Sequence, residues 1–436
     1  MIKKNKSRPV LNLIIRFGVM IIVISTSCQK IPGLKQMYEE NLQKGKAAFH
    51  EENYSAAIRH LKTATAIHPG SQEAHYFLGY ALDRKYSEID TSNTSTNLKQ
   101  QLKPLKHFKK VISIAPKYDG EIIILDPYSR ITSIWGNLAL MYLFKGEADS
   151  ALWAFQKGKK DGGFQEALIE YNKNTMACCE ENGILFTNGD NDTYPMLYLQ
   201  TVENYRTDIT VVNLPTLNAH WYIKQLKNDN PSGINQIPAE LTDEQIDNLS
   251  ILKWKTQNMS VPVYNQNGEH VDDIIWTLRS TLIDQTLRVQ DLMVMRILND
   301  NRWQRPVYFS TTVSRTNLIG LDEYLALEGL VFRLVPDTEN SNSINRLRKN
   351  VLEVCSYDAV ILDETQNMPD VIAVAQNYRF CFFQLMHYYY KKDDVKMAQN
   401  ILHIMKEKLP ESKLPYLGER LRSIIEQYEN ELNQIN

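Results

Sequence analysis

The chain has 436 residues, of which 43% are hydrophobic and 23% are charged, and its formal net charge is −2. A single domain rarely grows beyond about 250–300 residues, so this length predicts more than one hydrophobic core. The balanced charge argues against the basic surface of nucleic-acid-binding proteins, and no nucleic-acid partner is expected.

The N-terminus has the pattern of a bacterial lipoprotein signal. Basic residues, among them Lys3 and Arg16, precede a short apolar run at 17–24, and small residues then lead to Cys28. Such a signal is cleaved before the cysteine, which is then lipidated. Residues 1–27 are therefore predicted to be removed, and Cys28 is predicted to hold the protein at a membrane on its periplasmic side. An uncleaved N-terminal anchor is the alternative, although the apolar run is short for a membrane span.

Small and large packing residues recur between 28 and 182 with a period of about 34 residues. Gly45 and Gly79 are separated by that period, and Trp135, Leu138 and Tyr142 fit the signature of a tetratricopeptide repeat. In such repeats small residues let paired helices approach, and large ones fill the gap between them. A further unit is predicted within 337–436. The surface of these repeats is the expected binding site for a protein partner.

The segment 183–336 has a different pattern, in which short β-rich runs alternate with helical ones. The strand-like runs lie at 184–187, 209–213, 261–264, 307–312 and 331–335. This alternation is typical of an α/β layer with parallel strands. The predicted fold class is therefore α+β and rich in helix, with tetratricopeptide repeats flanking a central α/β domain.

The most distinctive segment is a polar turn between the first predicted strand and the next helix. Asn188, Asp190, Asn191 and Asp192 concentrate oxygen atoms there, and loops at the carboxyl ends of strands often hold ligands. A sugar could bind to them, but the spacing does not match a calcium-binding loop. They could also only cap the following helix. These alternatives remain open, and neither a metal nor another cofactor is expected.

His220 and Trp221 follow the second predicted strand and could lie near the same edge of the sheet. Aromatic rings beside polar groups suit the faces of sugars, so both residues join the candidate ligand-binding set, with a glycan as a candidate ligand. Simple packing is the more common use of such residues. The chain contains no serine-hydrolase elbow, zinc-protease motif or phosphate-binding loop. No catalytic residue is assigned, and the sequence favours a non-catalytic role without excluding an enzyme.

The remaining cysteines, Cys178, Cys179, Cys355 and Cys381, do not have the spacing of a metal site. Free cysteine behaves as a small hydrophobic residue, so buried thiols are the expectation. Disulfides between distant cysteines would suit an oxidising compartment and are left open.

The central and C-terminal parts of the chain resemble the soluble region of a large bacterial membrane-protein family. The similarity extends over roughly 170–420 and is carried by the motifs ILFTNGDNDTYP at 184–195, RPVYF at 305–309 and LALEGLVFRLVP at 325–336. That family is the domain-of-unknown-function group 2723, which is related to protein O-mannosyltransferases. The resemblance implies a shared extracytoplasmic module. The family's transferase chemistry is expected in an N-terminal multi-helix membrane region, and this chain has a lipoprotein signal and repeats there instead.

The sequence thus predicts a non-catalytic, lipid-anchored cell-envelope protein that binds a protein partner, or a glycan, through its repeats. The alternative is a carbohydrate-active or sugar-binding accessory of a membrane glycosyltransferase, acting at Asp190 and Asp192. The predicted boundaries are 1–27 for the signal, 28–182 for the repeats, 183–336 for the α/β domain and 337–436 for the C-terminal helices.

Overall fold

The computed structural model describes residues 32–87, 98, 100–228, 236–265, 267–338 and 342–434. The chain divides into two compact units between Ile123 and Ile124. The predicted signal and Cys28 lie outside the described residues, and the predicted domain boundaries at 182 and 336 stay predictions. Across the described ranges, no helix combines the length and the apolar character that a membrane span needs.

The first unit contains antiparallel helical pairs. Its helices are α1 (Pro32–His50), α2 (Tyr54–Ile67), α3 (Gln72–Ser87) and α4 (Lys103–Ile114). A Cβ added to Gly45 would lie 2.6 Å from Leu61 Cγ, and one added to Gly79 would lie 2.8 Å from Phe108 Cζ. Helix α1 therefore packs closely on α2, and α3 on α4, because these two positions carry no side chain.

The second unit begins with three helices and continues into the strands. The helices are α5 (Pro127–Phe144), α6 (Ala148–Lys160) and α7 (Glu166–Ala177). The strands are β1 (Ile184–Thr187), β2 (Thr210–Asn213), β3 (Leu252–Lys253), β4 (Gln257–Tyr264), β5 (His270–Leu278), β6 (Thr286–Leu287), β7 (Val307–Ser310), β8 (Leu325–Leu327) and β9 (Val331–Leu334). Five of these strands form the main sheet, in the order β2-β1-β7-β9-β8.

The main sheet is mixed. Strand β1 pairs in parallel with β2 and with β7, whereas β9 is antiparallel to both β7 and β8. Every residue of β1, β2 and β7 is buried. Burial of successive residues along a strand is typical of parallel strands that are covered on both faces. The predicted parallel pairing thus applies to three strands of the five.

Further helices surround this sheet and form the C-terminal part of the unit. They are α8 (Asp190–Glu203), α9 (His220–Asn228), α10 (Asp243–Asp247), α11 (Val289–Asn301), α12 (Ser343–Lys349), α13 (Pro369–Lys391), α14 (Val395–Lys408) and α15 (Glu419–Gln434). Helix α13 packs along α14, and Leu385 and Ala398 are fully buried in their common core. The fold is therefore α+β, mainly helical, with small mixed sheets.

Candidate functional site

The polar turn lies where three parallel strands end. Strands β1, β2 and β7 finish at Thr187, Asn213 and Ser310 on the same edge of the sheet. Strand β1 lies between the other two, and the chain reaches β2 on one side before it returns to β7 on the other. In α/β sheets the crevice at such a reversal is a common place for ligands. The candidate site is therefore this carboxyl-end crevice.

Asp192 caps the N-terminus of α8, and its side chain lies in the crevice. Its carboxylate accepts hydrogen bonds from the backbone N–H groups of Asn188 (2.8 Å) and Gly189 (2.7 Å), and also from the Thr312 hydroxyl. The first N–H groups of a helix have no partner within the helix, which explains why a carboxylate is stabilised there. Asp192 is 2% exposed, and its burial raises the pKa of its carboxyl group. The helix begins at Asp190, within the predicted turn.

Asp190 and Asn191 are half-buried and contact α5. The Ser133 hydroxyl donates to Asp190 Oδ2 over 2.5 Å, and Asn191 Nδ2 donates to Ser129 Oγ over 3.1 Å. The backbone carbonyl of Asn191 accepts from Asn172 Nδ2 of α7 at 2.8 Å. Asp190 and the Asn191 amide nitrogen are thus bound to α5, whereas the buried Oδ1 of Asn191 has no hydrogen-bond partner among the described residues.

Asn188 starts a network of side-chain amides across the crevice. Asn317 Nδ2 donates to Asn188 Oδ1 over 2.7 Å, and Gln290 Nε2 donates to Asn317 Oδ1 over 3.3 Å. Asn218 Nδ2 continues the network to Gln290 Oε1 at 2.8 Å. Sequence reasoning missed Asn218, Gln290 and Asn317, because single amides in separate loops form no motif until the strands bring them together.

His220 and Trp221 stand at the start of α9, and their side chains contact other parts of the chain. The carbonyl of Leu249 lies 2.9 Å from His220 Nε2, so this nitrogen carries the donated hydrogen. Trp221 is 40% exposed, and its ring makes an edge contact with Phe144 at a centroid distance of 4.8 Å. Asn188 and Asp192 therefore meet in the crevice, whereas His220 contacts Leu249 and Trp221 contacts Phe144. A ligand at any of the six residues stays a prediction.

A second acidic feature connects α5 to α13. The N–H of Asp126 donates to Asp370 Oδ2 (2.7 Å), and the N–H of Asp370 donates to Asp126 Oδ2 (3.0 Å). Burial and the nearby Asp370 carboxylate raise the pKa of Asp126 to about 7. The sequence signals were available, since Asp126-Pro127 and Pro369-Asp370 both mark helix starts. Only the fold could show that these two starts face each other.

The four cysteines in the described part are free thiols, and three of them are buried. Cys381 Sγ lies 3.0 Å from the carbonyl oxygen of Gly329, and a Cβ on that glycine would meet Cys178 Sγ at 2.6 Å. Burial raises the pKa of Cys381 and that of Cys179 well above the usual range of a thiol. These thiols pack as small apolar groups.

The segment that contains the sheet and the crevice matches a known family model. A model described as TMEM260-associated domain 2 matches residues 168–269 and 248–353. The two matched segments overlap and together span less than half of the chain. The chain has no match among curated proteins and none among solved structures. The match is consistent, in coarse terms, with the resemblance to membrane proteins related to O-mannosyltransferases, and it shows that this part of the chain is similar to TMEM260-associated domain 2.

Proposed function

We propose that this chain is a non-catalytic, lipid-anchored protein of the cell envelope that faces the periplasm and binds a protein partner. One observation carries the proposal. Each polar candidate side chain of the crevice makes at least one hydrogen bond within the protein, although the buried Oδ1 of Asn191 has no partner among the described residues. Trp221 is the one exposed member of the candidate set. Aromatic side chains that remain exposed are typical anchors of protein interfaces.

The crevice supports a structural role for its carboxylates. A general acid or base must reach the substrate, but the Asp192 carboxylate is buried and accepts from two backbone N–H groups and one hydroxyl. Asp190 accepts a short hydrogen bond from Ser133. Both groups are used as acceptors that fasten α8 to the strands and to α5.

Close packing of the helical pairs, of the kind expected in tetratricopeptide repeats, supports the proposal of a binding surface made of repeats. Gly45 and Gly79 occupy equivalent places, where Leu61 and Phe108 of the partner helices fill the space of a missing side chain. Trp135 of the next predicted repeat is 2% exposed. Arrays of this kind bind peptides and helices on their surface.

The partner surface in the second unit includes Phe144 and Trp221. Their rings are 37% and 40% exposed and touch each other edge to edge. One ring comes from the end of α5 and the other from α9, so the fold joins two segments into one aromatic patch. Burial of this patch by a partner would remove apolar area from water and stabilise the complex.

The experiment places a photo-crosslinking amino acid at Trp221 in the anchored protein. A matched protein carries it at Val271, which is 58% exposed and lies in β5, outside the predicted repeats. We expect a discrete crosslinked protein from position 221, which Phe144→Ala weakens, and no such product from position 271. Absence of a product at 221, or equal products at both positions, would contradict the proposed surface.

The lipid anchor has its own test. Mass spectrometry of the mature N-terminal peptide should find Cys28 as the first residue, with its acyl chains, and Cys28→Ser should remove them. An intact N-terminus with residues 1–27 attached would instead support the uncleaved anchor.

The alternative, a sugar-binding or carbohydrate-active accessory at Asp190 and Asp192, is tested by the double variant Asp190→Ala/Asp192→Ala. Loss of glycan or partner capture by a variant that still folds would favour this alternative. An unfolded variant would instead favour the structural role of the two carboxylates.

A further inference from the structure

Four large aliphatic side chains are exposed around one turn of the second unit. Ile283 is fully exposed, and Ile251, Leu252 and Leu282 are 61%, 45% and 38% exposed. A single exposed aliphatic residue is ordinary, whereas several that lie together mark a surface for a partner or a membrane.

The pairing of β3 with β6 brings these residues together. Strand β3 runs antiparallel to β6 and places Lys253 opposite Thr286. Lys253 Nζ also donates to the carbonyl oxygen of Asp284 over 3.3 Å. The segments 251–255 and 279–285 thus form one projection, which we call the apolar tip.

Hydrogen bonds hold the turn of the apolar tip in a fixed shape. The N–H groups of Thr281 and Leu282 both donate to the carbonyl oxygen of Thr286, over 3.1 and 3.2 Å. The Thr281 hydroxyl donates to Asp291 Oδ2 at the start of α11 over 2.5 Å. The base of the turn is therefore fastened to a helix, and Ile283 is held at the end of a fixed projection.

Basic side chains surround the aliphatic ones. Lys253 and Lys255 are exposed within the apolar tip, where Asp284 is the one carboxylate. Arg279 is also exposed, and it lines a cavity together with Glu323. Among the residues that the structure describes, Lys255 and Arg279 make no ion pair. The phosphate groups of anionic lipids attract such cations, so the apolar tip and an anionic bilayer have complementary charges.

A bilayer fits these features better than a protein partner does. Lysine is depleted at protein interfaces, where aromatic side chains provide much of the contact. The exposed large apolar residues of the tip are all aliphatic. The tip also ends in a turn whose outermost side chain is fully exposed, whereas a helical partner docks in a groove. Contacts with a membrane surface gain strength from buried apolar area and from attraction to anionic lipids, and the tip offers both.

We propose that the apolar tip contacts the surface of an anionic lipid bilayer, with Ile283 inserted at the boundary of the acyl chains and Lys253 and Lys255 at the phosphates. This contact goes beyond the lipid on Cys28, because it uses folded residues of the second unit and orients that unit on the membrane. It depends neither on lipidation nor on the protein partner, so it can fail while those proposals stand.

Fluorescence from position 283 tests the contact. The full chain has Cys28→Ser, so that no acyl chain is attached, and an environment-sensitive fluorescent amino acid replaces Ile283. The probes are vesicles of phosphatidylethanolamine and phosphatidylglycerol that contain brominated acyl chains as quenchers. Vesicles of neutral phosphatidylcholine with the same quenchers are the comparison. We expect the anionic vesicles to shift the emission to shorter wavelength and to quench it, and the neutral vesicles to have a weaker effect.

The matched control carries the same amino acid at Val271, which is 58% exposed in β5, and its emission should not change. Unchanged emission from position 283, equal quenching at both positions, or equal quenching by anionic and neutral vesicles would overturn the proposal. A photo-crosslinking amino acid at 283 that captures a discrete protein, without any quenching by vesicles, would assign the tip to a protein partner and would also overturn it.

Variants measured with the probe at 283 identify the groups that bind. Lys253→Glu/Lys255→Glu should lower the affinity for anionic vesicles about tenfold or more, and high salt should reduce the difference. Ile251→Asp should lower the affinity about fivefold, because a carboxylate replaces apolar area at the bilayer. Ile275→Asp, at a 54% exposed residue of β5 outside the tip, is the matched control and should bind normally. Wild-type affinity in both tip variants, or an equal loss in Ile275→Asp, would overturn the proposal.

Discussion

The two ends of the main sheet use similar polar residues in different ways. At the carboxyl end, the buried Asp192 accepts hydrogen bonds from Asn188, Gly189 and Thr312. At the amino end, Asn301 is equally buried but leaves its Oδ1 without a partner beside an open cavity. Asn191 Oδ1 at the carboxyl end also has no partner among the described residues, so the contrast holds for Asp192, whose carboxylate is satisfied, and Asn301, whose acceptor is not.

This difference shows why polar composition alone is a poor guide to a binding site. The turn at 188–192 has more acidic and amide groups than the segment 301–305. What matters is whether a buried polar group already has its hydrogen-bond partner, because each satisfied group has little left to offer a ligand. We therefore expect a larger loss of stability from substitution of Asp192 than from substitution of Asn301.

The largest effect is expected from Asp192→Ala. The variant leaves the N–H groups of Asn188 and Gly189 without their acceptor in a buried place, and the free energy of unfolding should fall by about 3 kcal/mol. Asp190→Ala is the matched control, since this half-buried carboxylate accepts a hydrogen bond from the Ser133 hydroxyl, and its loss should cost about 1 kcal/mol. Urea unfolding measures both. If Asp192→Ala were as stable as the wild type, the carboxylate would have no structural role, and the turn at 188–192 would again be a candidate ligand site.

The next effect concerns pH and the aspartate pair that joins α5 to α13. Asp126 has a pKa of about 7 in the folded protein, against about 3.9 in an unfolded chain. Between these values the folded protein holds a proton that the unfolded chain has released, so stability falls as the pH rises. We expect a loss of roughly 2 kcal/mol in the free energy of unfolding between pH 5 and pH 8.

Asp126→Asn should flatten this slope, because an amide does not titrate. Asp208→Asn is the control, since pairing with Arg206 lowers the pKa of Asp208 and places its contribution at acidic pH. Thermal unfolding across the pH range compares the three proteins. An unchanged slope in Asp126→Asn would show that other groups set the pH dependence.

A smaller effect is expected from Asn301→Leu, the counterpart of Asp192→Ala at the amino end. The substitution removes an acceptor that has no donor and one hydrogen bond to the Arg305 carbonyl, and these two changes partly cancel. The free energy of unfolding should change by less than about 1 kcal/mol. A loss as large as that of Asp192→Ala would mean that the two ends are equally structural.

The smallest effect on stability is expected from Trp221→Ala. The ring is 40% exposed and touches Phe144 at the surface, so the free energy of unfolding should change by about 0.5 kcal/mol or less. Partner capture, in contrast, should fall sharply. If Trp221→Ala kept both the stability and the partner capture of the wild type, Trp221 would not belong to the proposed surface.

Several elements of the fold were predictable because their signals are local. The run at 184–187 forms a strand, as predicted. Gly45 and Gly79 lie at close helix contacts, as the packing argument required. The predicted helix after the first strand began too late, since Asp190 already belongs to α8. In a sequence, polar residues of a first helical turn resemble loop residues, because the hydrogen bonds that cap the helix are not visible there.

The sequence by itself determined the positions of the buried strands at 184–187 and 307–310 and the positions in the helical pairs that must be small. These features depend on neighbours in the chain or on a regular period. Only the tertiary structure decided that Asp192 meets Thr312, that Asp126 meets Asp370, and that Asn301 is left without a donor. The reason is physical: whether a buried polar group is satisfied depends on partners that are distant in sequence, and folding alone brings them within hydrogen-bond distance.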